Sequence, residues 1–178
     1  AAADDALRPN QLLAITLGAV TEPSLCAGIV GACEELLVPG GIRSLADRSV
    51  AHHIPVYRDG VLLNDPAKPF WGSYTGDEDT RRKPAYHNGT AWTWLFPSYG
   101  EALFMTYGPP ARHAALAILS GAARVINEGC VTQVPEILDG GSPHTQRGCG
   151  AQAWGTTELH RVLAFLGARA YNPAFIFR

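Results

Sequence analysis

Gly129-Cys130-Val131-Thr132-Gln133-Val134-Pro135-Glu136-Ile137-Leu138-Asp139-Gly140-Gly141 lies late in the chain and runs on through His144, Gly148 and Cys149 to Gln152-Ala153-Trp154. Residues 129–149 carry Gly, Pro, Ser and Thr and show no helical apolar period. A loop that long inside a compact domain is uncommon and usually functional. Glu136 stands between Pro135 and the bulky Ile137 and Leu138, so part of its surroundings is expected to be dry. Such surroundings tune a carboxylate for proton transfer. Asp139-Gly140-Gly141 turns the chain sharply, because Gly accepts positive φ without steric cost. Spacing alone favours an ordinary surface loop with one solvated Glu. The aromatic stretch upstream reverses that ranking.

That stretch is Tyr86-His87-Asn88-Gly89-Thr90-Ala91-Trp92-Thr93-Trp94-Leu95. Sugars need flat apolar platforms under their C–H faces and rigid polar groups for their hydroxyls. Trp, Tyr, His and Asn supply both. One of the two indoles, Trp92 or Trp94, is expected in the core, and Asn88-Gly89 also reads as a turn.

Helical pattern surrounds these segments. Pro9 suits the first turn of a helix over residues 9–20, whose Leu12-Leu13-Ala14-Ile15-Thr16-Leu17 is apolar nearly all round. A second helix, capped by Thr21 or Ser24, presents Ile29, Ala32, Cys33 and Leu36 until Pro39-Gly40-Gly41 stops it. The two read as an antiparallel hairpin. Residues 39–91 lack helical period. Within them Ile54-Pro55-Val56-Tyr57-Arg58, Asp59-Gly60 and Val61-Leu62-Leu63 read as a β-hairpin with a type I′ turn. The run Asp77, Glu78, Asp79, Arg81, Arg82, Lys83 reads as a solvated loop. Helix resumes at Thr90, as N-cap, and runs to Tyr107, with Pro97 kinking it or delaying its start. Pro110 opens another with Leu116, Leu119, Ala123 and Ile126 on one face. The last helix shows Leu159, Val162, Leu163 and Leu166 and ends near Gly167. Five helices, mostly in pairs, make a mainly α fold of α/α hairpins, with a long loop region carrying a small β-hairpin.

Composition narrows the function. The 178 residues fit a single unit, 1–178, carrying a formal net charge of −2 with scattered Lys and Arg, so nucleic acid is excluded as a partner. Only 17% of residues are charged, beside 19 Gly and 13 Pro. That balance suits buried helices joined by elaborate loops, or part of a larger body that covers apolar surface. No apolar run reaches the roughly 18 residues of a membrane span, so no membrane contact is expected. Cys26, Cys33, Cys130 and Cys149 form no CxxC pair, and a reduced, cytoplasmic protein is the simplest reading. The adjacent His52-His53, and His144 with Cys149, do not make a zinc motif. Nucleophile elbow, Walker loop and dinucleotide fingerprint are absent, and no metal or cofactor is expected. Met105 is the only methionine. Either an initiator has been removed before Ala1 or the chain is cut from a longer polypeptide.

Leu7-Arg8-Pro9-Asn10-Gln11, Gly41-Ile42-Arg43-Ser44-Leu45, Tyr86-His87-Asn88-Gly89-Thr90, Pro135-Glu136-Ile137-Leu138-Asp139-Gly140, and Cys149 with Ala151-Gln152-Ala153-Trp154 follow one another in the chain. In that order they resemble the C-terminal part of glycogen debranching enzymes, the amylo-α-1,6-glucosidase domain. The resemblance implies the C-terminal part of an (α/α)6 barrel whose pocket removes the single glucose left at an α-1,6 branch. It implies Glu136 as the general base of an inverting mechanism, with Tyr86, His87, Asn88, Trp92 and Trp154 lining the glucose pocket. Trp94, Asp139 and Gln152 complete the candidate substrate-binding set. The family usually has Val and Pro where this chain has Ala91 and Thr93, Ser in place of Gly155, and an acidic residue near Lys83. The proton-donating carboxylate belongs to the family's earlier half, and no segment here matches it. The expected partners are therefore a branched α-glucan or oligosaccharide, and either the N-terminal half of the same domain or a second copy in a homo-oligomer. Without one of these the isolated chain is expected to be inactive. The alternative is a non-catalytic, carbohydrate-binding half-barrel.

Overall fold

The computed structural model describes residues 4–168. The apolar Phe175-Ile176-Phe177 lies outside the described residues. The fold is mainly helical with a small antiparallel sheet at its centre.

Seven α-helices occur among the described residues: α1 (Leu12–Thr16), α2 (Pro23–Cys33), α3 (Lys83–Tyr86), α4 (Phe96–Tyr107), α5 (Arg112–Leu119), α6 (Ala122–Asn127) and α7 (Ala153–Ala168). The hub is α4, which packs against α1, α2, α5 and α7. Its first turn accepts Pro97 because the early N–H groups of a helix have no intrahelical partner. Glu101 on α4 is 5% exposed and is paired with Arg161 of α7 at 2.9 and 2.6 Å. A buried carboxylate needs such a partner. Gly100 lets Leu119 of α5 close onto α4, since a Cβ there would lie 3.1 Å from the leucine Cγ.

Several expected boundaries are corrected. The first helix is a 3-10 turn, Pro9–Gln11, followed by five residues of α-helix. It is not buried all round: Leu12 and Ile15 face the core, while Leu17 is 79% exposed. The N-cap of α2 is Glu22, whose carboxylate accepts from the N–H groups of Ser24 and Leu25, rather than Thr21 or Ser24. Cys26, Val30 and Cys33 make its buried face, so Ala32 falls outside. The helix placed after Pro110 is broken at Ser120-Gly121 into α5 and α6. On α7 Leu163 is exposed, whereas Leu159, Val162 and Leu166 are buried. The acidic run is not loop. Asp77 caps a π-helical turn, Glu78–Arg82, by accepting from the N–H groups of Asp79 and Thr80.

The largest correction is the central sheet. Strands β1 (Leu37–Val38), β2 (Gly41–Arg43), β5 (Ala91–Trp92), β6 (Ile137–Leu138) and β7 (Gln146–Arg147) lie side by side in that order, each pair antiparallel. Thr90 therefore does not cap a helix; it leads into β5, its hydroxyl donating to the Ala85 carbonyl at 2.9 Å. Residues of β5 and β6 are all buried, so these two-residue strands lack the alternation that marks a half-exposed strand. The outlying hairpin was legible. Its strands, β3 (Tyr57–Arg58) and β4 (Val61–Leu62), are joined by Asp59-Gly60 with φ +48° and +80°. Both central residues at positive φ define the type I′ turn.

Leu119→Ala removes the side chain that fills the α4–α5 contact and is expected to cost about 2–5 kcal/mol. Urea unfolding measures this directly. A loss within about 0.5 kcal/mol would show that the contact closes without that side chain.

Candidate active site

Glu136 immediately precedes β6, and its main chain is tied from both sides. Its N–H donates to the Cys149 carbonyl at 2.8 Å, beyond the end of β7. Its carbonyl accepts from the Thr93 hydroxyl at 3.2 Å and from the Thr93 N–H at 3.5 Å, beyond the end of β5. Thr93 Oγ1 also donates to the Pro135 carbonyl. The side chain is fixed as well: Oε1 accepts from the Tyr86 hydroxyl, and Oε2 from the Cys149 N–H at 3.0 Å. Each carboxylate oxygen keeps further acceptor capacity after one such bond. Gly148, at φ +66°, makes this approach possible, because a Cβ there would lie 2.5 Å from Glu136 Oε2. Burial, then the hydrogen bond and charge of Glu136, push the Tyr86 hydroxyl well above its ordinary pKa. Tyr86 therefore stays a donor throughout the neutral range.

Tyr86 also carries the site outward. Its ring packs edge-on against Trp92 with centroids 4.6 Å apart, and against His87 at 5.0 Å. His87 stacks on Trp92 at 5.6 Å and 14°, and Trp154 meets Trp92 edge-on at 5.8 Å. Trp94 stacks on Trp154 at 5.1 Å and 21°. A cavity of about 330 Å³ opens here, lined by His87, Trp92, Trp94 and Trp154 together with Arg8, Pro9, Asn10, Ser44 and Leu95. Glu136 is not among its lining residues. It sits one ring away, behind Tyr86. Trp92 is buried and its Nε1 donates to the Tyr86 carbonyl at 3.1 Å, whereas Trp154 is 41% exposed and Trp94 half-buried. The indole expected in the core is Trp92.

The other candidates have bracing partners. Asp139 is buried, with Oδ1 accepting from the Tyr74 N–H at 2.7 Å and Oδ2 from Arg147 at 3.0 and 2.9 Å. It holds the β6–β7 connection against the segment containing Tyr74. Asn88 accepts from Arg8 at 3.1 Å and donates to the Pro84 carbonyl at 2.8 Å. Gln152 is half-buried just before α7, and its N–H donates to the Val134 carbonyl at 2.9 Å. Sequence reasoning gave Arg8 no role. The structure makes it a clamp: its guanidinium donates to the carbonyls of Ser44 and His87 as well as to Asn88, and it lines the cavity. The available signal was that Arg8 is the one Lys or Arg in residues 1–42. Among the described residues, no group of three or more His, Cys, Asp or Glu gathers to hold a metal ion, and no helix is long and apolar enough to cross a membrane.

A carboxylate tied to a tyrosine and a backbone amide, beside an indole-lined cavity, suits carbohydrate chemistry. A family model described as Amylo-alpha-1,6-glucosidase matches residues 1–161. The chain belongs to the amylo-alpha-1,6-glucosidase family. The match is to the C-terminal domain of glycogen debranching enzyme and makes this a glycoside-hydrolase-related protein of carbohydrate metabolism. No curated protein matches the chain. Positions 93 and 155 meet in space. A Cβ on Gly155 would lie 2.8 Å from Thr93 Oγ1 and 3.1 Å from Val134 Cγ1. With Thr at 93 holding the Glu136 carbonyl, 155 has no room for a side chain.

Partial burial, and then the charge of Arg8, lower the pKa of His87. The unfolded chain thus binds the proton at higher pH than the folded one. Stability is complete above the unfolded value, about 6.5, and falls as pH drops through the folded one. His87→Gln is expected to flatten the stability profile in that acidic window. Thermal melts from pH 7.5 to 5 test it, and an unchanged slope would contradict the shift.

Proposed function

We propose that this domain removes α-1,6-linked glucose from branched glucan with inversion, and that Glu136 is the general base. One observation carries the reading: Glu136 is held by Tyr86 and the Cys149 amide next to the aromatic cavity. A water hydrogen-bonded to the free side of the carboxylate loses a proton to Glu136 as its oxygen attacks the anomeric carbon. The glycosidic oxygen takes a proton from a carboxylic acid on the opposite side and leaves. Attack opposite the leaving group turns the α linkage into β-glucose. Inverting glycosidases place the two carboxyl groups about 6.5–9.5 Å apart to admit the water. In this reading the acid comes from the N-terminal half of an (α/α)6 barrel, of which this chain is the C-terminal part. Arg8 and His87 offer polar contacts to the sugar, while Trp154 and Trp94 offer its apolar platform. Four free cysteines fit a cytoplasmic setting.

A second reading, a carbohydrate-binding unit without catalysis, rests on the cavity lining, which excludes Glu136. One experiment separates the two. In the protein together with the segment that supplies the acid, Glu136→Gln is expected to lower glucose release from a limit dextrin by about 10²–10⁴-fold. Glucose binding should persist, and proton NMR of the wild-type reaction should show β-glucose first. Retained activity, or α-glucose as the first product, would contradict the mechanism. Binding with no activity in either protein would favour the second reading.

A further inference from the structure

The two exposed cysteines are brought to one place. Cys130 and Cys149 are both free and exposed, while Cys26 and Cys33 are buried. They stand 19 residues apart in sequence, yet Cys130 Sγ rests against Gly150: a Cβ built there would lie 2.7 Å from it. The Cys149 thiol turns the same way along the chain and donates to the Ala151 carbonyl at 3.4 Å. Both sulfurs therefore border the short segment 149–151. Only glycine at 150 leaves room for the Cys130 sulfur, and Gly148 at φ +66° precedes the pair. Flanking glycines give Cys149 a backbone that can readjust at low cost.

The same cysteine is the main-chain partner of Glu136. Its N–H binds the carboxylate at 3.0 Å and its carbonyl accepts the Glu136 N–H at 2.8 Å. We propose that Cys130 and Cys149 form a reversible thiol–disulfide site, and that closing it pulls the Cys149 peptide away from Glu136 and silences the centre. The silencing rests on the reading of Glu136 as base; the disulfide itself does not. Two thiols lose two protons and two electrons as the S–S bond forms. The oxidant is a peroxide, reduced to water, or a small-molecule disulfide, reduced to two thiols. A disulfide of this kind in a reducing compartment is transient and redox-sensing rather than structural. Bridging requires the two Cα atoms to come within about 4.4–6.8 Å. Cys149 supplies the necessary shift because it lies between two glycines.

The test uses the complete protein, oxidised with hydrogen peroxide and, separately, with oxidised glutathione. Peptide mapping under non-reducing conditions is expected to find a Cys130–Cys149 linkage. Glucose release should fall at least tenfold and return with dithiothreitol. Cys130→Ser should abolish both the linkage and the loss. Absence of the linkage, or inactivation that persists in Cys130→Ser through an adduct on Cys149 alone, would overturn the proposal. A linkage formed with activity intact would overturn the control of Glu136. Activity of Glu136→Gln, measured alongside, shows whether the base assignment has failed instead.

Discussion

The site depends on how the peptide of Glu136 is pinned. Thr93 holds its carbonyl from one neighbouring strand, and Cys149 holds its N–H from the other. Two-residue strands would be marginal alone, but here they sit side by side in one sheet whose β5 and β6 residues belong to the buried core. Their backbone groups are satisfied by one another, which buried polar groups require. Only then can the side chain be placed to within hydrogen-bond tolerance, with a tyrosine on one oxygen and an amide on the other.

The aromatic cluster follows from the same frame. Trp92 lies directly opposite Ile137 in the β5–β6 register, so the strand that carries the buried indole is hydrogen-bonded to the strand that follows Glu136. Tyr86 bridges the two, giving its carbonyl to Trp92 and its hydroxyl to Glu136. Arg8 then ties the opening of the chain to the backbone of Ser44 and His87, closing the cavity from the far side in sequence. Loop residues thus acquire the precision usually found on longer elements, because rigid helices and buried strands hold their ends.

Much of this was written in the sequence, unevenly. Helix α7, the β3–β4 turn and the delayed start of α4 at Pro97 could be read because period, Asp-Gly and Pro each have a local cause. Glu136 and the aromatic stretch with Tyr86, His87, Trp92 and Trp94 stood out by residue chemistry, Trp154 was added by the family resemblance, and the structure gathers them. The central sheet was hidden, since Ala91–Trp92 and Ile137–Leu138 are too short and too completely buried to alternate. Its pairing joins segments some 45 residues apart, which no local pattern reports. Asp139 and Asn88 are candidate sugar contacts by type, and their protein partners, Arg147 and Arg8, are set by tertiary packing that no local pattern reports. The exclusion between Thr93 and a side chain at 155 is likewise a property of packing alone.

The proposed function requires the carboxylate of Glu136 and the indole-lined cavity to form one site. A crystal structure of the protein soaked with glucose tests this most directly. The expected result is a sugar ring over Trp154 and Trp94, with its anomeric carbon turned toward Glu136 and a water between them. A sugar bound elsewhere, or bound in the cavity with Tyr86 and Trp92 walling it off from Glu136, would contradict it.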